Sequence, residues 1–275
     1  MSEKNCKGKT PEDYGFHMPE KKNSFKIDLN EKSSVKKIIG VVSGKGGVGK
    51  SFVTSMLACE MARRGYRVGV LDGDITGPSQ TKAFGIHEKA MGDGKYIYPY
   101  ITKNGIQVIS TNMILDSDET PVIWRGPMVA NILKQFYTDV VWDNVDYMFV
   151  DMPPGTSDVP LTAFQSFPLD GIVVVTSPQE LVSMVVEKAI NMAQSMDIKV
   201  LGLIENMSYV ECPNCNEKIE IFGKSHINEV SEKYGLPVLA KIPMRQKVAE
   251  SADEGTMEDL EIPEIKDAVS FIEGK

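Results

Sequence analysis

Short apolar runs alternate along the chain with segments in which apolar residues recur every three to four positions. Runs of the first kind, which are typical of buried strands, lie at 37–43, 67–71, 106–110, 147–151, 171–176, 200–204 and 236–242. Helical spacing covers 52–64, 128–137, 179–196, 225–234, 244–253 and 262–273. This alternation predicts an α/β fold, a doubly wound and mostly parallel sheet flanked by helices on both faces. The glycine- and tyrosine-rich stretch 86–105 predicts an irregular excursion or a hairpin.

The first 34 residues lack this pattern. They are rich in Lys, Glu, Asn, Ser and Pro, a composition that predicts a flexible tail unless it docks on a partner. Residues 35–275 are predicted to form a single domain, because their length suffices for one large core. A loop over 207–222 within that domain contains a pair of cysteines.

The composition excludes several classes of partner. The 275 residues have a formal net charge of −8, whereas proteins that bind nucleic acid usually present a basic face. No run of about 18 uncharged apolar residues could span a membrane. The N-terminus also lacks the apolar segment of a signal peptide. These observations predict a cytoplasmic protein with neither a nucleic-acid nor a membrane partner.

The segment between the first strand and the first helix, residues 44–51, reads GKGGVGKS. A strand, a glycine loop and a helix in this order are the context in which G-x-x-x-x-G-K-[ST] binds nucleotide phosphates. The loop's backbone N–H groups converge on an anion, and the helix N-terminus adds partial positive charge. We expect Lys50 to contact the β- and γ-phosphates of ATP and the Ser51 hydroxyl to bind Mg²⁺. The predicted nucleotide-binding residues around this loop are Gly44, Lys45, Gly46, Gly47, Val48, Gly49, Lys50, Ser51 and Phe52.

Acidic residues follow two of the predicted strands. Asp72 and Asp74 come after the strand at 67–71, and Asp151 ends the strand at 147–151. Ligands of open α/β sheets collect at the carboxyl ends of strands, so these acids are expected beside the P-loop. An apolar strand with a terminal Asp is typical of the Walker B residue that orients Mg²⁺. The sequence therefore predicts that Asp151 acts on Mg²⁺.

Cys212 and Cys215 form a C-x-x-C pair among four cysteines. One pair offers two thiolates, whereas tetrahedral zinc and a four-iron cluster usually have four protein ligands. His226 and Cys6 would complete a site within one chain, although their spacing is not typical of one. The simpler hypothesis is a dimer in which each subunit contributes both cysteines. Cys59, on the first helix, is predicted to be a buried core thiol.

The P-loop has a second lysine, Lys45, and so resembles the deviant Walker A motif of the MinD/ParA group of P-loop ATPases. The resemblance implies a homodimer, at least while ATP is bound, in which Lys45 contacts the partner's phosphates and stabilises the transition state. It implies that Asp74 orients the attacking water and that Asp151 acts on Mg²⁺ through water. It also implies that Asn206 contacts adenine. The catalytic residues expected from this resemblance are Lys45, Lys50, Asp74 and Asp151.

Four further motifs resemble the Mrp-type branch of that group, also called the ApbC or Nbp family. They are PVIWRGPM at 121–128, DMPPGT at 151–156, ENMS at 205–208 and CPNC at 212–215. Members of this family hold a labile [4Fe–4S] cluster between subunits on the C-x-x-C cysteines and deliver it to apo-proteins, with ATP binding or hydrolysis coupled to transfer. The resemblance implies the same for this chain, with ATP, Mg²⁺ and a [4Fe–4S] cluster as cofactors and apo iron–sulfur proteins as partners.

Two departures from the family pattern and two alternative functions stay open. The single Cys6 does not supply the N-terminal four-cysteine motif of eukaryotic relatives, and residues 224–226 read KSH where a glycine-rich stretch often stands. One alternative is a spatial-positioning switch of the MinD or ParA kind, which the acidic segment 258–265 disfavours, since such switches need a membrane-binding or DNA-binding surface. The other is an ATPase whose dimer is held by structural zinc.

Overall fold

The computed structural model describes residues 26–75, 77–114, 126–155 and 158–274. Cys6, Thr156 and residues 121–125 of the PVIWRGPM motif lie outside the described residues. The strands are β1 (Val35–Ser43), β2 (Val68–Asp72), β3 (Met91–Gly92), β4 (Ile97–Tyr98), β5 (Tyr100–Ile101), β6 (Gln107–Ile109), β7 (Val145–Asp151), β8 (Gly171–Thr176), β9 (Val200–Glu205), β10 (Val210–Glu211), β11 (Lys218–Ile219) and β12 (Val238–Lys241). The helices are α1 (Lys50–Arg63), α2 (Gln80–Ala83), α3 (Gly126–Thr138), α4 (Asp158–Ser166), α5 (Glu180–Ser195), α6 (Ile227–Tyr234), α7 (Gln246–Glu254) and α8 (Pro263–Glu273).

Within the described ranges, eight strands form one sheet in the order β12-β9-β8-β1-β7-β2-β6-β5. Every neighbouring pair is parallel except β5 and β6, which are antiparallel. Val173, Val174 and Val175 of β8 are consecutive and fully buried. Because successive side chains of a strand point to opposite faces, both faces of the sheet are covered. The predicted doubly wound, mostly parallel α/β fold is confirmed.

The seven predicted strands and six predicted helices are all present, with ends that differ by a few residues. The strand expected at 236–242 is shorter, at Val238–Lys241. The stretch 86–105 contains a hairpin of β3 and β4, as expected. Two helices were not predicted, α2 and α4. Helix α2 has 4 residues, which is too short for helical periodicity to be visible.

Residues 26–34 differ from the prediction, which placed them in the flexible tail. The amide N–H of Ile27 donates to the carbonyl of Ser166 at 3.0 Å, and the Asn30 side chain donates to two carbonyls at the end of α3. Ile27 and Leu29 also pack against the core. This segment therefore belongs to the folded domain. Its docking depends on backbone carbonyls that are far away in sequence, which composition does not reveal.

The topology sets the location of the site. In a parallel sheet all carboxyl ends lie at one edge, so the segments that follow β1, β2, β7 and β9 are neighbours there. Those segments contain the glycine loop, the turns that begin at Asp72 and at Asp151, and Asn206. Among the described helices, none has the length and apolar character that crossing a membrane requires.

Candidate functional site

The glycine loop joins β1 to α1 and turns sharply twice. Gly47 and Gly49 both have φ of 80°, a left-handed conformation that strains other residues. Val48 is buried between them and anchors the loop, while Gly46 and Gly47 are exposed. A Cβ built on Gly46 or Gly47 would meet no heavy atom within 4 Å, so the loop is open on this side. This open cradle at the start of a helix fits a phosphate group.

Lys50 lies below the loop, where it is only 6% exposed. Its ammonium group donates to Oδ1 of Asp151 and lies 4.0 Å from Oδ2 of Asp74. Three of the four predicted catalytic residues are therefore in one place. The ammonium group offers a charged donor to phosphate oxygens, and the two carboxylates offer oxygen atoms of the kind that Mg²⁺ prefers. Ser51 and Phe52, the next two predicted residues, are half-buried at the start of α1.

Asp72 and Asp151 end the neighbouring strands β2 and β7 and are paired in register. Both are fully buried. The Asp72 carboxylate accepts hydrogen bonds from the backbone N–H groups of Asp74, Ser79 and Gln80 and from the Ser110 hydroxyl. Burial and the nearby Asp151 carboxylate raise the pKa of Asp72 to about 7, against the lowering effect of these hydrogen bonds. Asp72 thus fixes the path of the loop that contains Asp74.

Gln80, the first residue of α2, connects three parts of the site and was not predicted. Its amide nitrogen donates to Oδ2 of Asp151 at 2.8 Å and to the carbonyl of Ser51 at 3.1 Å. Its amide oxygen accepts from the Ser55 hydroxyl at 2.8 Å. The first acidic turn, Asp151 and the P-loop helix therefore meet at one buried side chain. No pattern in the sequence marks this glutamine, because its role depends on how α2 folds back onto α1.

Lys45 differs from Lys50 in its surroundings. It is exposed, and its ammonium group donates to Oε1 of Gln179 at 3.0 Å, just before α5. Gly44 beside it lies against α5, since a Cβ there would come within 2.6 Å of the Val185 carbonyl oxygen. The P-loop therefore contains one lysine directed inward and one on the surface. A surface lysine is available to another molecule, and the contact with a second subunit stays a prediction.

Asn206 follows β9 and is 7% exposed. Its amide nitrogen donates to the carbonyl of Val48 at 3.0 Å. A Cβ on Gly49 would lie 2.1 Å from that nitrogen, so only glycine allows this approach. The structure thus places Asn206 against the P-loop. Its proposed contact with adenine stays a prediction.

The C-x-x-C pair lies at the tip of a hairpin formed by β10 and β11. The backbone N–H of Cys212 donates to Glu217, and the carbonyl of Cys212 accepts from Asn216, both at 2.9 Å. Cys215 is exposed and Cys212 half-buried. The N–H groups of Asn214 and Cys215 and the Cys215 thiol lower the pKa of Cys212, which favours the thiolate that binds soft metals.

Of the two other candidate ligands, His226 does not join this pair, and Cys6 lies outside the described residues. The His226 ring lies 3.1 Å from Glu229, and in the described part of the chain no group of three or more His, Cys, Asp or Glu side chains could hold a metal ion. Cys59 is buried on α1, and burial raises its pKa to about 12. The prediction of a core thiol at Cys59 is confirmed. In its described part, the chain therefore presents two cysteines and no third His, Cys, Asp or Glu side chain placed to hold a metal ion with them.

The sheet, the glycine loop and the buried lysine define a P-loop NTPase. The family model described as "ParA: NUBPL iron-transfer P-loop NTPase" matches residues 34–273. The chain belongs to this family.

Relatives and solved structures agree with this assignment. A protein named "Iron-sulfur cluster carrier protein" from Clostridium perfringens is 47% identical over 234 residues, which cover 82% of each chain. A protein of the same name from Methanocaldococcus jannaschii is 44% identical over 225 residues, covering 81% of this chain and 78% of that one. A nucleotide-binding protein from Archaeoglobus fulgidus, solved in complex with ADP, is 39% identical with a TM-score of 0.75, covering 84% and 90%. The cell-division ATPase MinD of Pyrococcus furiosus shares the fold, with a TM-score of 0.64 at 20% identity over 86% and 98% of the two chains.

Proposed function

We propose that this protein is an ATP-hydrolysing carrier of iron–sulfur clusters. It holds a [4Fe–4S] cluster between two copies of the chain and transfers it to apo-proteins. The observation that carries this proposal is the combination, in one domain, of a P-loop lysine buried against two acids and a surface hairpin with two cysteines. Relatives named iron–sulfur cluster carriers, and an ADP complex of a similar protein, support it. Likeness to MinD extends to the fold alone and does not favour the positioning switch.

The nucleotide site acts through position and charge. The loop N–H groups and Lys50 bind the phosphates, and Asp74 orients the attacking water. The Ser51 hydroxyl would hold Mg²⁺ directly and the Asp151 carboxylate would hold it through water, and oxygen donors of this kind are the ones that this ion prefers. When bound, Mg²⁺ would supply positive charge that neutralises the negative charge developing in the transition state. Asp72 and Gln80 keep Asp74 and Asp151 in place.

The cluster is the group that the protein transfers, and the number of cysteine ligands in each chain argues for a site shared by two chains. Two cysteines from each of two chains give the four thiolates that a [4Fe–4S] cluster usually has. The lowered pKa of Cys212 favours the thiolate that would bind the cluster, and the exposure of Cys215 leaves the site accessible to a recipient protein. A chain that supplied only half of the ligands would release the cluster when the dimer opens. ATP binding that closes the dimer would then control the cluster.

A shared nucleotide site predicts a specific effect of Lys45→Ala. We expect ATP turnover to fall about a hundredfold, the usual loss when one transition-state charge is removed, while ATP affinity changes less than about threefold. The reason is that Lys45 contacts the partner's nucleotide and leaves the chain's own phosphate cradle intact. Steady-state hydrolysis and calorimetric titration measure the two quantities. Lys36→Ala is the matched control, because Lys36 is an exposed lysine at the start of β1, paired with Asp146. Unchanged turnover in the Lys45 variant would rule out the shared site.

Metal analysis tests the proposal as a whole. The full chain is purified without oxygen, analysed for iron and zinc, and then reconstituted with iron and sulfide. We expect about four iron and four sulfide per dimer, with the broad absorbance of a [4Fe–4S] cluster. Stoichiometric zinc that iron and sulfide do not displace would favour the structural-zinc alternative instead.

A further inference from the structure

Glu205 and Asn206 are adjacent at the carboxyl end of β9, and their side chains contact different sites. Asn206 contacts the P-loop through its 3.0 Å hydrogen bond to the carbonyl of Val48. Glu205 contacts residues that flank the cysteine hairpin, because its carboxylate accepts from the hydroxyls of Ser208 and Ser225, each at 2.5 Å. One peptide bond thus separates a contact with the nucleotide loop from a contact with the segment that contains the cysteine hairpin.

Ser208 and Ser225 stand on the two sides of that hairpin. The chain between them contains β10, both cysteines and β11. Since the two serines bind the two oxygens of one carboxylate, both ends of the hairpin segment are fixed to the end of β9. The backbone strengthens this connection, because Ile242 donates to the Glu205 carbonyl at 2.8 Å and Ser208 donates to the Ile242 carbonyl at 2.9 Å.

Glu205 is a buried carboxyl group, which is unusual for a residue whose only role is packing. It is 1% exposed, and it forms no ion pair with a described residue. Burying a carboxyl group with only hydroxyl partners costs free energy that a neutral side chain would avoid. Two acceptor oxygens on one rigid group are, however, what is needed to hold two serines at once.

We propose that Glu205 is a positioning residue that couples the nucleotide site to the cysteine hairpin. A displacement of Asn206 when nucleotide binds at the P-loop moves the end of β9, and Glu205 transmits that movement to both ends of the hairpin segment. The inference rests on the proposed function in one respect, since it assumes that the P-loop binds ATP or ADP. It supplies the physical connection through which the nucleotide controls the cysteines.

The reactivity of the cysteines tests this coupling without any cluster. In the full chain with Cys6→Ser, the rates at which iodoacetamide alkylates Cys212 and Cys215 are measured by mass spectrometry, with and without Mg-ATP or Mg-ADP. We expect nucleotide to change the rate about fivefold or more, the usual range for coupled sites. In Glu205→Ala the change should fall below about twofold, while nucleotide affinity stays within about threefold of the parent value.

Three further variants separate coupling from a merely structural role. Ser208→Ala/Ser225→Ala removes the same two hydrogen bonds and leaves the sequence of β9 unchanged, and we expect it to lose the nucleotide effect as Glu205→Ala does. Glu205→Gln should restore the nucleotide effect, because an amide can accept from one serine and donate to the other. Ser231→Ala is the matched control, since Ser231 bonds to the Leu236 carbonyl in the same region. It should retain the full effect.

The outcomes distinguish this inference from the proposed function. A nucleotide effect that persists in the double serine variant overturns the coupling through Glu205, as does the lack of any effect in the parent chain. A chain that binds no cluster but still shows the effect, with its loss in the double variant, would refute the carrier function and support the coupling. A chain that binds a cluster but shows no effect would refute the coupling alone.

Discussion

Lys50→Ala is expected to lower the rate of ATP hydrolysis at least 10²- to 10³-fold, the usual order of loss for one preorganised charge at a transition state. The Lys50 ammonium group is buried and faces Asp151 and Asp74, at the point where the loop glycines open toward a phosphate. Its removal takes away the only buried cation described at this end of the sheet. Single-turnover hydrolysis and nucleotide titration are the measurements, and we expect both the rate and the affinity to fall.

The same substitution should destabilise the fold. Without the ammonium group, Asp151 and Asp72 remain as buried carboxylates on neighbouring strands. Removing one partner of a buried ion pair costs about 3–5 kcal/mol, because the other charge stays buried without compensation. The free energy of unfolding should fall by a similar amount. Urea denaturation measures this change.

The double variant Lys50→Ala/Asp151→Asn separates the two effects. Neutralising Asp151 should recover a large part of the lost stability, because no charge is left unpaired at that position and less repulsion acts on Asp72. Hydrolysis should not recover, because the proposed contacts of Lys50 with phosphate and of Asp151 with Mg²⁺ are both gone. Hydrolysis by Lys50→Ala within tenfold of the parent rate would contradict the assigned role. The exposed Lys36→Ala serves again as the control.

The sequence predicted the sheet because the strands of a parallel α/β core have a strong pattern. Strand β8 is an unbroken apolar run, since both of its faces are buried, and the carboxyl ends of such strands must meet at one edge. That rule also predicts that Lys50, Asp74 and Asp151 lie together. It did not distinguish Asp72 from Asp74. Which of the two is buried depends on the register of β2 against β7, and that register is a property of the assembled sheet.

Contacts between segments that are distant in sequence were beyond prediction. Gln80 belongs to a helix of 4 residues, and its three partners lie on α1 and β7. Glu205 reaches Ser225, which is 20 residues further along the chain. Residues 26–34 look like a tail in composition, yet they bond to carbonyls more than 100 residues away. Local sequence patterns indicate secondary-structure propensity and hydrophobic periodicity. The contacts of these residues, in contrast, form only when distant segments come together in the folded chain.

The largest effect expected on the cysteine side is the loss of the cluster in Cys212→Ala/Cys215→Ala. After reconstitution without oxygen, iron should fall from about four per dimer to below about 0.5, with the loss of the cluster absorbance. The reason is ligand number, because no third His, Cys, Asp or Glu among the described residues is placed to hold a metal ion together with the pair. Each single variant leaves two thiolates per dimer. We expect those variants to bind less iron than the parent and to lose it faster on gel filtration.

Cys59→Ala is the matched control for this experiment. Its thiol is buried on α1, where a surface cluster cannot reach it, and burial raises its pKa to about 12, so its replacement should leave iron binding intact. The double variant should also keep nucleotide binding, because the hairpin lies outside the P-loop and its acidic partners. Retention of ADP affinity alongside the loss of iron would show that the chain is folded and that the cysteines themselves are the ligands. Equal iron content and absorbance in the double variant and the parent would mean that the cluster is held elsewhere, and the carrier site assigned to Cys212 and Cys215 would be wrong.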